Sequence, residues 1–202
     1  MRTHLSIVLS CLLVGCVSGR NVMPTSAEHP TANLQPTVKV TIASEVPREL
    51  DVSFHAVWMA DVKIPGCSYY ENAYLRFEGA RFPYSLTLPL HAERRDGRLV
   101  VPVVLDQYLP GRCNWQLGII RMLVADSKSE PQAMDIYYST HRATSSSNAD
   151  VWCRKAKRFG DAREQVFCSF SDVTTRGKII TPSSLALGRD VPTAHMRVHY
   201  LQ

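Results

Sequence analysis

Residues 50–58 read Leu-Asp-Val-Ser-Phe-His-Ala-Val-Trp, and the alternation in that stretch decides the fold class. Leu50, Val52, Phe54, Ala56 and Trp58 are apolar, Asp51, Ser53 and His55 are polar, and Val57 is the one exception. Successive side chains of a strand point to opposite faces, so this run buries one face and wets the other. Upstream, Val38, Val40 and Ile42 alternate with Lys39 and Thr41 in the same way. Downstream, Leu86, Leu88 and Leu90 lie on one side of Asp96-Gly97, and Leu99, Val101, Val103 and Leu105 on the other, which predicts a hairpin joining the two arms. Pro89 and Pro102 cannot donate to a ladder and point to edges or bulges. Trp115 to Val124, Ala133 to Ser139, Val151 to Arg154, Gln165 to Phe170 and Met196 to Leu201 are further strand candidates, with HRATSSSNA (141–149) as a polar, mobile loop. Between Ser68 and Glu78, Tyr70, Tyr74 and Phe77 would share a helical face, while Ala73, Leu75 and Phe77 alternate equally well, so both readings stand. Short strands at regular spacing, with no internal repeat, predict an all-β, two-sheet β-sandwich, immunoglobulin-like or transthyretin-like, with at most one short helix.

The chain has 202 residues, 45 % hydrophobic and 20 % charged, which excludes disordered, collagenous and multi-span membrane classes and suits one folded domain. Its net charge of +5, from 23 basic and 18 acidic residues, permits an anionic partner but gives no ground for nucleic-acid binding.

Location is written at the N-terminus. Arg2 and His4 precede a ten-residue apolar run, Leu5 to Val14, of signal-peptide length and well short of the ~20 residues needed to span a membrane. The run ends in Leu13-Val14-Gly15-Cys16, which resembles the lipobox of bacterial lipoproteins: an apolar residue, two smaller residues, then a cysteine. The resemblance implies that Cys16 carries a diacylglyceryl group, that the signal 1–15 is removed, and that the new amine is acylated, with palmitate among the chains. The mature chain would then hold 202 − 15 = 187 residues and a charge of +4, Arg2 leaving with the signal. Two or three acyl chains anchor stably where one does not. Cys11 leaves with the signal, and Val17 in place of the aspartate that retains members of this class at the inner membrane implies the outer membrane, periplasmic face. Residues 16–37, with Pro24, Pro30 and Pro36 and no apolar periodicity, read as lipidated N-terminus and flexible tether, and 38–202 as the sandwich. A second, eight-residue likeness, Tyr108-Leu-Pro-Gly-Arg-Cys-Asn-Trp115, is to segments of small Gram-negative lipoproteins and implies no activity.

Cys67, Cys113, Cys153 and Cys168 then remain in a chain sent to an oxidising space, so two disulfides are expected. Four cysteines allow three connectivities; Cys67–Cys113 with Cys153–Cys168 is favoured because sequence neighbours pair more easily. These four cysteines include no C-x₂₋₄-C pair, so no metal site and no cofactor is expected. A buried bridge packed against the indole of Trp115 would follow from Cys113 lying two residues before it.

The catalytic search finds no G-x-S-x-G, S-x-x-K, H-E-x-x-H, P-loop or G-x-G-x-x-G pattern. His195 and His199 have the spacing of a helical metal pair, but on a strand they stand about 13 Å apart. His55 and His91 read as surface imidazoles. A general-acid pair could be assembled from distant carboxylates, such as Glu71 and Asp106, but nothing favours it. The local feature above background is Arg154, Lys155, Lys157 and Arg158, on a hairpin tip if Cys153 and Cys168 pair, and suited to an anionic lipid or glycan or an acidic protein. Tyr69, Tyr70, Tyr74, Tyr137 and Tyr138 offer a second surface. The sequence therefore predicts a binding, adaptor or structural lipoprotein and not an enzyme, held to the membrane through acylated Cys16 and meeting an envelope or periplasmic protein. An immunity protein or inhibitor that neutralises a cell-wall-degrading toxin or lysozyme is the first alternative, and an envelope hydrolase the second.

Overall fold

The computed structural model describes residues 28–71, 73–139, 145–157, 164–169, 184–188 and 190–201. Alternation becomes strand nearly everywhere: β1 (Lys39–Glu45), β2 (Leu50–Met59), β3 (Ser68–Tyr69), β4 (Phe82–Pro83), β5 (Ser85–Leu90), β6 (Glu93–Arg95), β7 (Arg98–Val104), β8 (Gln116–Asp126), β9 (Gln132–Ser139), β10 (Ser145–Ser146), β11 (Asn148–Lys157), β12 (Glu164–Ser169), β13 (Ser184–Ala186) and β14 (Thr193–Leu201). One five-residue helix, α1 (Ala73–Phe77), stands among them. The first sheet runs β12-β11-β14-β1-β7-β6. The second is built on β9-β8-β2-β5, with the short β13 and β10 added beyond β9. The expected sandwich is the architecture found.

Its core is the set of inward positions that the alternation marks. Ile42, Val101, Val151 and Ala194 of the first sheet and Phe54, Ile120, Met122, Val124 and Ile136 of the second are fully buried. Burying each of these side chains larger than Ala194 contributes roughly 1.5–3 kcal/mol, which is why one sheet face is apolar and the other is free to carry charge. Trp58 packs edge-on against Tyr108, ring centroids 5.1 Å apart.

Val57 is buried like Trp58 although it faces the other side of the sheet. Val57 pairs with Ile119 and Trp58 with Leu117, so Gly118 is the extra residue of a β-bulge in β8. A Cβ at Gly118 would stand 2.5 Å from Met59 Sδ, a close approach that explains glycine at this place.

The Asp96-Gly97 turn is present, with φ of 49° and 79°, but its arms differ from those predicted. It joins β6 to β7, whereas Leu86 to Leu90 form β5, the edge of the other sheet, paired to β2. The chain changes sheets at residues 91–92, because a two-residue turn sets the geometry of the strands beside it and not the partner of a strand five residues away. Pro89 sits in edge strand β5, and Pro102 lies where β7 runs past the end of β6.

Three further expectations change. The polar stretch 141–149 holds β10 and the start of β11, while residues 140–144 lie outside the described residues. Ser68 to Glu78 is part strand and part helix. Of the stretch 16–37 read as tether, residues 28–37 are laid onto the domain: Ala32 bridges Tyr108, Asn33 N donates to Gln107 O at 2.8 Å, and Asn33 Nδ2 donates to Asp106 O at 2.8 Å. The prolines that argued for a spacer do not prevent this: Asn33 N finds Gln107 O, and Thr31 O accepts from Leu109 N.

Both favoured disulfides are formed. Cys67–Cys113 joins the loop after β2 to the loop before β8, and Cys153–Cys168 staples edge strand β12 to β11 at directly opposed positions. Cys113 and Trp115 are both buried in the same core cluster. Among the described residues no helix is long and apolar enough to cross a membrane.

Candidate functional site

The outer face of the first sheet carries a charged row that crosses four strands. In register, Arg98 of β7 opposes Glu45 of β1, Glu45 lies beside Arg197 of β14, and Arg197 beside Asp150 of β11. Odd positions of β1 and β14 face outward because Val40, Ile42, Ala194, Met196 and Val198 take the core. Arg98 Nη2 donates to Glu45 Oε1 at 2.9 Å, and Arg197 Nε to Glu45 Oε2 at 3.0 Å. Held from two sides, Arg197 first, the Glu45 carboxyl lies below the usual carboxylate range. The Arg197 guanidinium is pushed up in turn, chiefly by its bond to Glu45 and to a smaller extent by the charge on Asp150.

At the end of the row His199 Nε2 lies 2.8 Å from Asp150 Oδ1, and the His199 ring stacks on Trp152, centroids 4.0 Å apart with planes 12° apart. Cross-strand neighbours on adjacent strands are close enough for such stacking, and it holds both rings upright on the sheet. Beside the row is a groove of about 270 Å³ lined by Ala43, Asn148, Asp150, His195 and Arg197, among others. Alternating charge, an amide, two imidazoles and an indole make a surface of many directional donors and acceptors. Ion pairs this exposed contribute little to folding, so their order matters more for what they meet than for stability.

No family model, curated protein or solved structure matches this chain.

The residues singled out from sequence are placed as follows. Cys16 and Arg158 lie outside the described residues. Arg154, Lys155 and Lys157 do not form one patch, because successive residues of β11 point to opposite sides. Arg154 is exposed on the outer face. Lys155 turns to the inner side and reaches the other sheet, its Nζ 2.6 Å from Asp126 Oδ2. Tyr200 OH donates to the same carboxylate oxygen at 3.4 Å, and Lys128 N donates to Asp126 Oδ1 at 2.9 Å. Lys155, then the Lys128 amide, hold the Asp126 carboxyl far below its ordinary value. Lys155 is thus an inter-sheet clamp at the open end of the sandwich. Lys157 lies opposite Glu164 in the β11–β12 pair.

His195 and His199 both lie on strand β14, separated by Arg197, and among the described residues no group of three or more His, Cys, Asp or Glu is placed to hold a metal ion. Asp106 is committed to structure: its carboxylate accepts from Thr37 N, Thr37 Oγ1 and Val38 N at 2.8, 3.1 and 3.0 Å, tying down the entry to β1. Glu71 stands exposed in the loop before α1. His55 is half-buried on its strand, and His91 is exposed 3.7 Å from Glu93 Oε1. The side chains of Tyr137 and Tyr138 lie outside the described residues.

The charged row is what sequence reasoning missed. Glu45 and Arg197 are separated by 152 residues, and their only sequence signal is the polar phase of two alternating strands.

Proposed function

We propose that this chain is a lipid-anchored envelope lipoprotein, facing the periplasm from the outer membrane, that works by binding and not by turnover. The row Arg98, Glu45, Arg197, Asp150 and His199 with Trp152, beside its groove, would be the face that docks a protein of the envelope. That ordered row is the observation that carries the reading. Charge alternation along a rigid sheet selects a partner of the complementary pattern and sets register, while the stacked Trp152 supplies an aromatic anchor. The two disulfides support an oxidising compartment, and the Leu13-Val14-Gly15-Cys16 resemblance supports the anchor. The polar atoms of the row already satisfy one another, which suits recognition better than acid–base work.

Affinity capture from detergent-solubilised envelopes tests this, with the acylated wild-type chain, an Arg197→Glu variant and a Cys16→Ala variant. A specific envelope protein held by wild type and lost from Arg197→Glu is expected, with Cys16→Ala recovered as uncleaved precursor or soluble protein. The same proteins captured by wild type and Arg197→Glu would overturn the face, and an unmodified Cys16 in the mass spectrum of wild type would overturn the anchor. Capture of a soluble cell-wall-degrading enzyme in place of an envelope protein would favour the inhibitor reading.

A further inference from the structure

Between β2 and β5 the chain leaves the sandwich and builds a knob. Tyr74 and Phe77 on α1 are 67 % and 91 % exposed, and Tyr70 and Phe82 are each 36 % exposed. Arg81 Nε donates to Tyr70 OH at 2.9 Å, and the guanidinium carbons of Arg76 and Arg81 lie 5.9 and 5.4 Å from the Tyr70 ring centroid. Beneath them Tyr69 packs between Phe82 and Tyr84, at 6.1 and 5.9 Å, and the Cys67–Cys113 bridge secures the base. The exposed rings are therefore held out on a built platform. A contiguous exposed apolar cluster marks a contact surface.

What it contacts is argued from where the chain enters. Glu28 is fastened at the foot of the knob: Arg112 Nη2 donates to Glu28 Oε1 at 3.0 Å and Trp115 Nε1 to Glu28 O at 2.7 Å. The same Arg112 Nη2 stands 3.4 Å from where a Cβ on Gly66 would be, beside Cys67. From Cys16 to Glu28 there are 28 − 16 = 12 residues, which reach at most about 43 Å. The far end of the sandwich lies one length of β8 away, eleven residues or about 36 Å. An anchor at Cys16 thus brings the knob end to the bilayer, and the opposite end could touch it only with the chain near full stretch.

We infer that the knob of Tyr70, Tyr74, Phe77 and Phe82 with Arg76 and Arg81 is a second membrane contact, seated in the headgroup zone of the bilayer that holds Cys16. This rests on the lipid-anchored reading above. Aromatic rings prefer that zone, and guanidinium groups pair there with lipid phosphate. Glu71 and Glu78, both exposed, balance Arg76 and Arg81, so the contact is aromatic first and only weakly sensitive to salt. Its effect is to fix the domain's orientation.

The test uses the full acylated chain in vesicles of phosphatidylethanolamine and phosphatidylglycerol. Phe77→Trp puts a reporter on the knob, and Ser127→Trp puts one on the exposed turn after β8 at the opposite end; emission of the native tryptophans is subtracted using wild type. Brominated acyl chains should quench Trp emission in Phe77→Trp by about two-fold or more and leave Ser127→Trp unquenched. With Cys16 acylated by mass spectrometry, an unquenched reporter in Phe77→Trp overturns the contact while the anchor stands, and a protein partner for the knob would then be sought. Equal quenching in both variants overturns a fixed orientation. An unmodified Cys16 and no flotation with vesicles overturns the anchor and this inference together.

Discussion

Replacing both halves of one disulfide by alanine, in turn, separates what the two bridges do. In the chain-entropy account the stabilisation grows with the logarithm of the loop closed. Cys67–Cys113 closes 46 residues and Cys153–Cys168 closes 15, giving about 4 and about 3 kcal/mol respectively. For a domain of this size about 2–4 °C of melting temperature is lost per kcal/mol, so Cys67→Ala with Cys113→Ala should melt about 8–16 °C lower, and Cys153→Ala with Cys168→Ala about 6–12 °C lower. Cys67, Cys113 and Cys153 are all buried, so the small holes left by the lost sulfurs add to both figures. The local consequences differ as well. The first variant frees the base of the knob and should speed chymotryptic cleavage at Tyr70, Tyr74 and Phe77; the second frees β12, which among the described residues pairs with β11 alone, and should speed cleavage at Phe167. Calorimetry of the oxidised proteins, with peptide mapping of early cleavage products, reads both effects. A larger loss from opening the shorter loop would refute the loop-length reasoning, and shifts below about 2 °C in both variants would refute a structural role for the bridges.

Three further outcomes are expected. Asp126, held below the ordinary carboxylate range by Lys155 and the Lys128 amide, stabilises the fold fully above pH ~3.9 and loses that contribution as pH falls through its lower folded value, so Asp126→Asn should lower the melting temperature at neutral pH and flatten its fall in acid. Gly118→Val should cost about 1–3 kcal/mol in denaturant unfolding, because its side chain enters space held by Met59; an unchanged midpoint would show that Met59 swings clear. Lys155→Glu sets a carboxylate against Asp126 and should lower the melting temperature, whereas Arg154→Glu on the outer face should leave it nearly unchanged; equal losses would argue against the inter-sheet clamp.

The fold class was legible because alternation is local: Leu50 to Trp58 states its buried face without reference to anything else. The disulfides were legible from the even number and the spacing of Cys67, Cys113, Cys153 and Cys168. Pairing was harder. The turn at Asp96-Gly97 is written in two residues, but whether Leu86 to Leu90 continues into the same sheet depends on packing against Phe54, Ala56 and Trp58, which lie far upstream in the chain. The basic run Arg154 to Arg158 looked like one patch because a sequence is read along one line, while a strand deals its residues to two sides; only Asp126, on the other sheet, decides where Lys155 goes. The charged row was invisible for the same reason, since it lies across strands and joins Glu45 to residues near the far end of the chain.

Strand β14 lies between β1 and β11 and pairs in parallel with each, so the first and the eleventh strands share no edge until the last one arrives. A ribosome or an export channel releases β1 well over a hundred residues before its neighbour, and during that interval one edge of β1 and one edge of β11 stand open as templates for foreign strands. Assembly of this sheet is therefore a late, long-range closure, governed by the slow kinetics of non-local pairing and not by any single hairpin. A cell making this protein would have to keep the emerging chain apart from its copies until β14 is free, and a chain cut short before Thr193 would leave two half-sheets with no means of joining.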